Sequence, residues 1–409
     1  MKRQFCSSPP SSTAGPLQAH ILGFGESLRG QGYSSYSIDQ KIRLLVQLDR
    51  WFSKRQIRIE DFCEQDIEKF LHYRRNRGHG RGGDPLTLRS LLKNLREVKI
   101  TSFAVTKHDD SPLHCLQTNF SKYLAEERGL RPATRDWYLF ETRRFLVESF
   151  GNGAVSLSGL SAECVTQFVL RRAGSNSPRG VQRTGTALRS FLRFLLQRGD
   201  IATNLAASIP KVANWSFSGL PKYLSPAEVE LLLETCNNET VDGRRTRAIV
   251  LFLARLGLRG GEVVHMTLDD IDWDAGELLI RGKGGRQDRL PIPADVGKAL
   301  ATYLRHVRPV CLSRRVFIRL NAPHRGLAGT SSIGYVVRRL LKQAGLNPSF
   351  KGTHLFRHSL ATRMLRGGAS LTEIGKILRH ELPSTTAIYA KVDLAALRAL
   401  AQPWPGGEA

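Results

Sequence analysis

THLFRHSLATRMLRGGASLTEIGKILRHELPSTTAIY, residues 353–389, is the stretch on which the reading of this 409-residue chain turns. Residues 353–366 read as a helix stopped by Gly367-Gly368, and residues 371–378 as a second, short helix. The run carries His354, Arg357, His358, His380 and Tyr389. His354 and His358 have a metal-ligand spacing on a helix, but Leu355 stands where a metalloprotease has its glutamate, and Arg357 would set a permanent cation beside a dication. A metal is therefore not expected, and no cofactor is called for.

Upstream, residues 277–281 and 288–292 are β-like runs joined by Gly282-Lys283-Gly284-Gly285-Arg286, a hairpin with a basic tip. It is not a phosphate loop, because Gln287 follows where that motif needs Lys-Ser/Thr. Ser225-Pro226-Ala227-Glu228 starts a helix with a capping box, and the next helix is expected over 244–256. No Gly-x-Ser-x-Gly elbow is present for a serine hydrolase. What remains is Arg259, Lys283, His354, Arg357, His380 and Tyr389, a set without a carboxylate pair. Singly, Tyr389 reads as a half-buried core residue and Arg259 as a helix-end cation. Together they suit attack on a phosphodiester. A tyrosine of pKa about 10 is roughly 0.1% ionised at neutral pH, a deficit of about 4 kcal/mol that nearby cations offset. Guanidinium forks match the phosphate oxygens and the charge that grows on them. Lysine can protonate a leaving oxygen, and histidine can carry the tyrosine proton.

Further outward, residues 17–107 and 112–210 resemble each other at an offset of roughly 96 to 100 positions. Phe24, Leu28, Phe52 and Phe70 are echoed by Phe120, Leu124, Phe150 and Phe168, and Leu88-Arg89-Ser90-Leu91 by Leu188-Arg189-Ser190-Phe191. Each copy reads as four or five amphipathic helices. Residues 1–16 read as a disordered leader, 211–224 as a linker, 225–400 as a mixed α+β domain and 401–409 as a tail.

The charge agrees. With 61 Lys and Arg against 36 Asp and Glu, the formal net charge is +25, spread as +7, +8 and +10 over residues 1–111, 112–222 and 223–409. Such a spread on folded segments suits a polyanion, above all nucleic acid. No run approaches 18 uncharged apolar residues, so no membrane helix is expected. The six cysteines lie far apart without Cys-x-x-Cys and read as free thiols in a reducing compartment.

In residues 254–272 (ARLGLRGGEVVHMTLDDID), the hairpin at 282–286, THLFRH at 353–358, Leu378-Arg379-His380 and Tyr389, the chain resembles the tyrosine recombinase, or phage integrase, family. The resemblance implies Arg259 as the first catalytic arginine with Glu262 supporting it, Lys283 as the hairpin lysine, His354 and Arg357 as the second box, His380 as the terminal histidine and Tyr389 as nucleophile. It leaves His358 a packing or supporting residue. It covers about residues 112–400 and implies a mainly α chain: a SAM-like helical core-binding domain and a mixed catalytic domain with a small β-hairpin, clamped on double-stranded DNA. The implied function is site-specific recombination or integration through a 3′-phosphotyrosyl link, in the integration, excision or transposition of a mobile element. A homotetramer on two sites is implied, with residues 394–401 exchanged between protomers, an accessory or partner recombinase possible, and a bacterial cytoplasmic, nucleoid-associated setting. A type IB topoisomerase and a non-catalytic DNA-binding regulator are the alternatives. Departures from the family pattern are Arg379 where glycine is common, Glu381-Leu382 in place of a small polar pair, Lys391 after the tyrosine, and the extra segment 17–107.

Overall fold

The structure, a computed structural model, describes residues 15–101, 111–151, 156–213, 219–236, 239–282, 285–392 and 397–398. Lys283, nearly all of the leader, the 401–409 tail and all of 394–401 except Leu397 and Arg398 lie outside the described residues.

Among the described residues, four helices make up the first segment: α1 (Gln18–Gly30), α2 (Ser35–Arg55), α3 (Glu64–Asn76) and α4 (Asp84–Glu97). Four more make up the second: α5 (Pro112–Glu126), α6 (Pro132–Phe150), α7 (Ala162–Ser175) and α8 (Pro178–Gln197). Both place a short 3₁₀ turn between the second and third helix, at Ile59–Asp61 and Leu157–Gly159. Helix α8 shows why the sequence folds so. Ser177 caps its first turn by accepting from the Gly180 amide, Pro178 occupies the first position, and Leu188, Phe191, Leu192 and Leu195 form its buried stripe. Each such buried side chain contributes about 1.5–3 kcal/mol. Leu88, Leu91, Leu92 and Leu95 do the same for α4.

The parallel extends to details. Arg74 lies over the Phe70 ring and Arg172 over the Phe168 ring, at 5.8 and 5.0 Å, and both arginines are buried against carboxylates, Asp84 and Glu148. Left-handed residues close corresponding turns: Gly32 and Gly129, Gln56 and Gly151, Lys99 and Gly199. Each segment has its own hydrophobic core, one around Phe24, Phe52 and Phe70, the other around Phe120, Phe145 and Phe191.

The third segment begins with α9 (Pro226–Thr235), whose capping box is formed as expected: the Ser225 amide donates to Glu228 Oε2 at 2.7 Å, and the Glu228 amide donates to Ser225 Oγ at 3.2 Å. Next come α10 (Val241–Arg255), α11 (Gly260–His265), the antiparallel strands β1 (Ile271–Asp272), β2 (Glu277–Arg281) and β3 (Gln287–Pro291), then α12 (Ala294–His306) and α13 (Thr330–Gln343). The C-terminal stretch forms α14 (His354–Arg366), α15 (Leu371–Ile377), the short α16 (Pro383–Thr386) and a 3₁₀ turn, Ala387–Val392. Helix α10 starts before the expected 244, because Thr240 accepts from the Gly243 amide and caps a polar first turn. Strand β3 lies one residue earlier than expected, since Gln287 pairs with Arg281. The two-residue β1 is too short for an alternation signal.

Helix α10 is the apolar axis of this segment: residues from Ala248 to Ala254 are all buried. A separate small cluster, Leu360, Ala361, Ile374, Leu378 and Tyr389, forms between α14, α15 and the last turn. By their contacts the residues fall into two units, 1–102 with 219–409, and 103–218. In the first unit the His324 amide donates to the Gln31 carbonyl at 2.9 Å, which ties the N-terminal helices to the third segment.

Candidate active site

Arg259 is held by the start of α11. It is the cap residue, extended at φ −74°, and Glu262 one turn on reaches back to it. Glu262 Oε2 accepts from the Arg259 amide and Oε1 from its Nη1, both at 2.8 Å, while Arg259 Nη2 donates to the Arg379 carbonyl at 3.4 Å. The guanidinium stays one-third exposed, whereas the Glu262 side chain is almost wholly buried. Burial by itself would raise the Glu262 carboxyl, but the charges of Arg379 and Arg259 and the Arg259 amide outweigh it and hold it below the usual range. Glu262 thus remains a carboxylate that aims Arg259.

The second cation on Glu262 is Arg379, whose Nη2 donates to Oε2 at 3.0 Å. Arg379 is buried and has φ +54°, the left-handed region that costs a side chain with a Cβ roughly 1–2 kcal/mol. Glycine would adopt that backbone without the cost. Here the strain is offset by the ion pair with Glu262.

Helix α14 brings in the second box. It can approach α11 because Gly260 has no Cβ; one there would sit 3.1 Å from Thr353 Oγ1. Arg357 is 3% exposed; its Nη1 donates to the Gly257 carbonyl at 2.6 Å and its Nη2 to the Leu378 carbonyl. Burial, then the charges of Arg259 and Arg379, push its guanidinium down to about 9. His354, at the first position of α14, is lowered by burial and then by Arg357 and Arg259.

Tyr389 lies under this cationic cluster, 1% exposed, and burial pushes its hydroxyl up to about 12, against the pull of Arg357. Its Oη is 2.9 Å from His358 Nδ1. Its ring is parallel to that of His380, 6° apart with centroids at 6.5 Å, and edge-on to His358 at 5.6 Å. His380 Nδ1 in turn pairs with Thr386 Oγ1 at 2.7 Å. Burial and the neighbouring cations push both His358 and His380 down to about 4, so both are neutral near pH 7 and able to accept a proton.

The structure therefore brings Arg259, Glu262, His354, Arg357, His380 and Tyr389 together; Lys283 lies outside the described residues. Two contacts lie beyond what spacing alone shows. His358 touches the tyrosine oxygen directly, and its place one helical turn after His354, on the same face of α14, was the available signal. Arg379, noted only as a departure from glycine, completes the Glu262 cradle, and nothing in its sequence neighbourhood announces that.

Comparison with known proteins now defines the class. The phage integrase family model matches residues 222–395. A putative integrase/recombinase, y4rA of Sinorhizobium fredii (strain NBRC 101917 / NGR234), is 43% identical over 98% of this chain and 97% of its own. Tyrosine recombinase XerD of Mycobacterium tuberculosis (strain CDC 1551 / Oshkosh) is 32% identical over 69% of this chain and 94% of its own. Among solved structures, a XerH site-specific recombinase bound to a palindromic difH substrate, in its post-cleavage complex, shares the fold with a TM-score of 0.53 at 18% identity, over 96% of this chain and 98% of that one. The chain belongs to the phage integrase family of tyrosine recombinases.

Proposed function

We propose that the chain is a site-specific DNA recombinase in which Tyr389 is the nucleophile. The observation that carries this is the Tyr389 hydroxyl, hydrogen-bonded to a neutral histidine beside Arg357, with Arg259 and Arg379 sharing the Glu262 carboxylate. Arg259 and Arg357 bind the non-bridging oxygens of the scissile phosphate and stabilise the charge of the pentacoordinate transition state. Tyr389 Oη bonds to phosphorus as the bond to the 5′ oxygen breaks. The tyrosine proton passes to a histidine, His358 being already in contact, and Lys283 gives the leaving 5′ oxygen its proton. With Tyr389 at about 12 and His358 at about 4, that transfer is steeply uphill at rest, so it proceeds only as the oxygen–phosphorus bond forms. His354 and His380 complete the cradle. Reversal by a 5′-hydroxyl of a second duplex exchanges strands, and no external energy source is needed because the phosphodiester energy is kept in the link.

In this reading, residues 112–210 are the core-binding domain and residues 225–400 the catalytic domain, each acting on duplex DNA, and residues 17–107 are a duplicate of the former. The matching helix order, buried arginines and left-handed turns support the duplication. Four protomers assemble on two sites, with or without an accessory recombinase, on the DNA of a mobile element in a bacterial cytoplasm. The test is strand exchange between two labelled duplexes carrying the inverted repeats that flank the gene. Recombinant products are expected. Relaxation of supercoiled plasmid without site dependence, and without exchange, would instead point to a topoisomerase.

A further inference from the structure

Three residues before the tyrosine, Thr386 closes α16 with its side chain buried and its Oγ1 at 2.7 Å from His380 Nδ1. Gly375 of α15 holds both partners in register. Its carbonyl accepts from the His380 amide at 2.9 Å, and its missing side chain lets Thr386 come close, since a Cβ there would sit 3.1 Å from Thr386 Oγ1. The histidine ring fixed in this way is the one that lies parallel to the ring of Tyr389.

A neutral imidazole carries a single proton, on Nδ1 or on Nε2, and the group that faces one nitrogen decides which. At this contact the two arrangements are not equivalent. If Nδ1 carried the proton it would donate to Thr386 Oγ1, and the hydrogen of that hydroxyl, on a residue 3% exposed, would have no acceptor among the described residues. A buried donor left without a partner is the costlier arrangement. With the hydroxyl donating to Nδ1, both groups are satisfied and the ring proton falls on Nε2, which has no partner of its own among the described residues. The charges nearby point the same way. Burial, then Arg357, Arg259 and Arg379, keep the ring neutral near pH 7, and a neutral ring helps an anion held by those arginines only through an N–H, because a nitrogen lone pair facing a phosphate oxygen repels it.

We propose that Thr386 is a positioning residue: its hydroxyl donates to His380 Nδ1, sets the ring proton on Nε2 and so makes His380 a hydrogen-bond donor to a phosphate oxygen. His358 is then left to take the tyrosine proton. That the anion is the scissile phosphate rests on the recombinase reading, whereas the tautomer does not. Nitrogen NMR of the full chain, labelled with ¹⁵N in its histidines and free of DNA at pH 7, reads the tautomer, with the His380 signals identified by their loss in His380→Gln. The unaltered chain should show Nε2 protonated and Nδ1 as an acceptor. Thr386→Val, which keeps the shape and removes the hydroxyl, should shift the Nδ1 signal and let the other tautomer appear, and Thr386→Ser should return the first pattern. A proton on Nδ1 in the unaltered chain, or a spectrum that Thr386→Val leaves unchanged, would overturn the proposal. Single-turnover cleavage of a nicked duplex reads the consequence. Thr386→Val should slow it about 10-fold at unchanged duplex affinity, Thr386→Ser should recover most of the rate, and Thr386→Val added to His380→Gln should slow it no further, because the threonine acts only through that ring. An equal loss with and without His380 would also overturn it, leaving Thr386 a packing residue. The expected tautomer in a chain that cleaves no duplex would keep the Thr386 assignment and remove the recombinase reading.

Discussion

Tyr389 is poised against its own chemistry. Its hydroxyl sits where burial holds the proton, at about 12, and its nearest acceptor has been emptied of charge by the same burial and by Arg357 and His354. A neutral His358 with its Nδ1 facing Oη is the form a general base needs. Because its folded value is depressed from the usual 6.5 to about 4, His358 stays competent as pH falls to about 5 and is lost as pH falls through 4, with His354, His380 and Arg357 the charged or titratable groups facing it. His358→Gln should slow single-turnover cleavage by about 10²–10⁴ and abolish that acid limb of the profile while duplex affinity is kept. An unchanged rate and acid limb would return His358 to a packing role. At this scale spacing pointed to Arg259, His354, Arg357, His380 and Tyr389, which the structure brings together, but not to the contact between His358 and Tyr389. Spacing reveals which side chains share a helix face, and not which of them reaches an oxygen 31 positions away.

At the scale of elements, the turn between α10 and α11 binds the two arginine boxes together. Gly257 has φ +58°, a Cβ on it would lie 2.8 and 2.9 Å from the Leu378 and Leu360 side chains, and its carbonyl accepts from Arg357. Gly257→Ala should therefore destabilise the chain by about 1–3 kcal/mol, seen as a lowered Tm, and reduce cleavage more than duplex binding, because Arg357 loses its anchor. A variant with wild-type Tm and cleavage would show that this close approach does not matter. Elements with strong local signals were legible: the Ser225 capping box, the glycine stop at 367–368, and the apolar stripes of α4 and α8. Those set by long-range partners were not. β1 consists of Ile271 and Asp272 paired to β2, and the left-handed Arg379 is tied to Glu262, 117 positions away.

For the whole molecule, the +25 charge divides into three uses. Arg259 and Arg379 share one buried carboxylate, and Arg357 beside them is held by backbone carbonyls, which leaves a net positive pocket for one phosphate. A second group is paired away on the surface. A third, Arg29, Arg43, Arg50 and Arg75 among them, is exposed with no ion pair among the described residues. Composition alone showed a basic chain and its even spread, but only packing separates cations that hold carboxylates from those that are free to hold DNA. The account as a whole stands on a covalent bond between Tyr389 and a DNA 3′ phosphate. Incubating the full chain with a nicked suicide duplex bearing its site, then digesting and mass-mapping the trapped complex, should give one nucleotide-bearing peptide modified at Tyr389, absent in Tyr389→Phe. No adduct with the unaltered chain, or an adduct that persists in Tyr389→Phe, would contradict it.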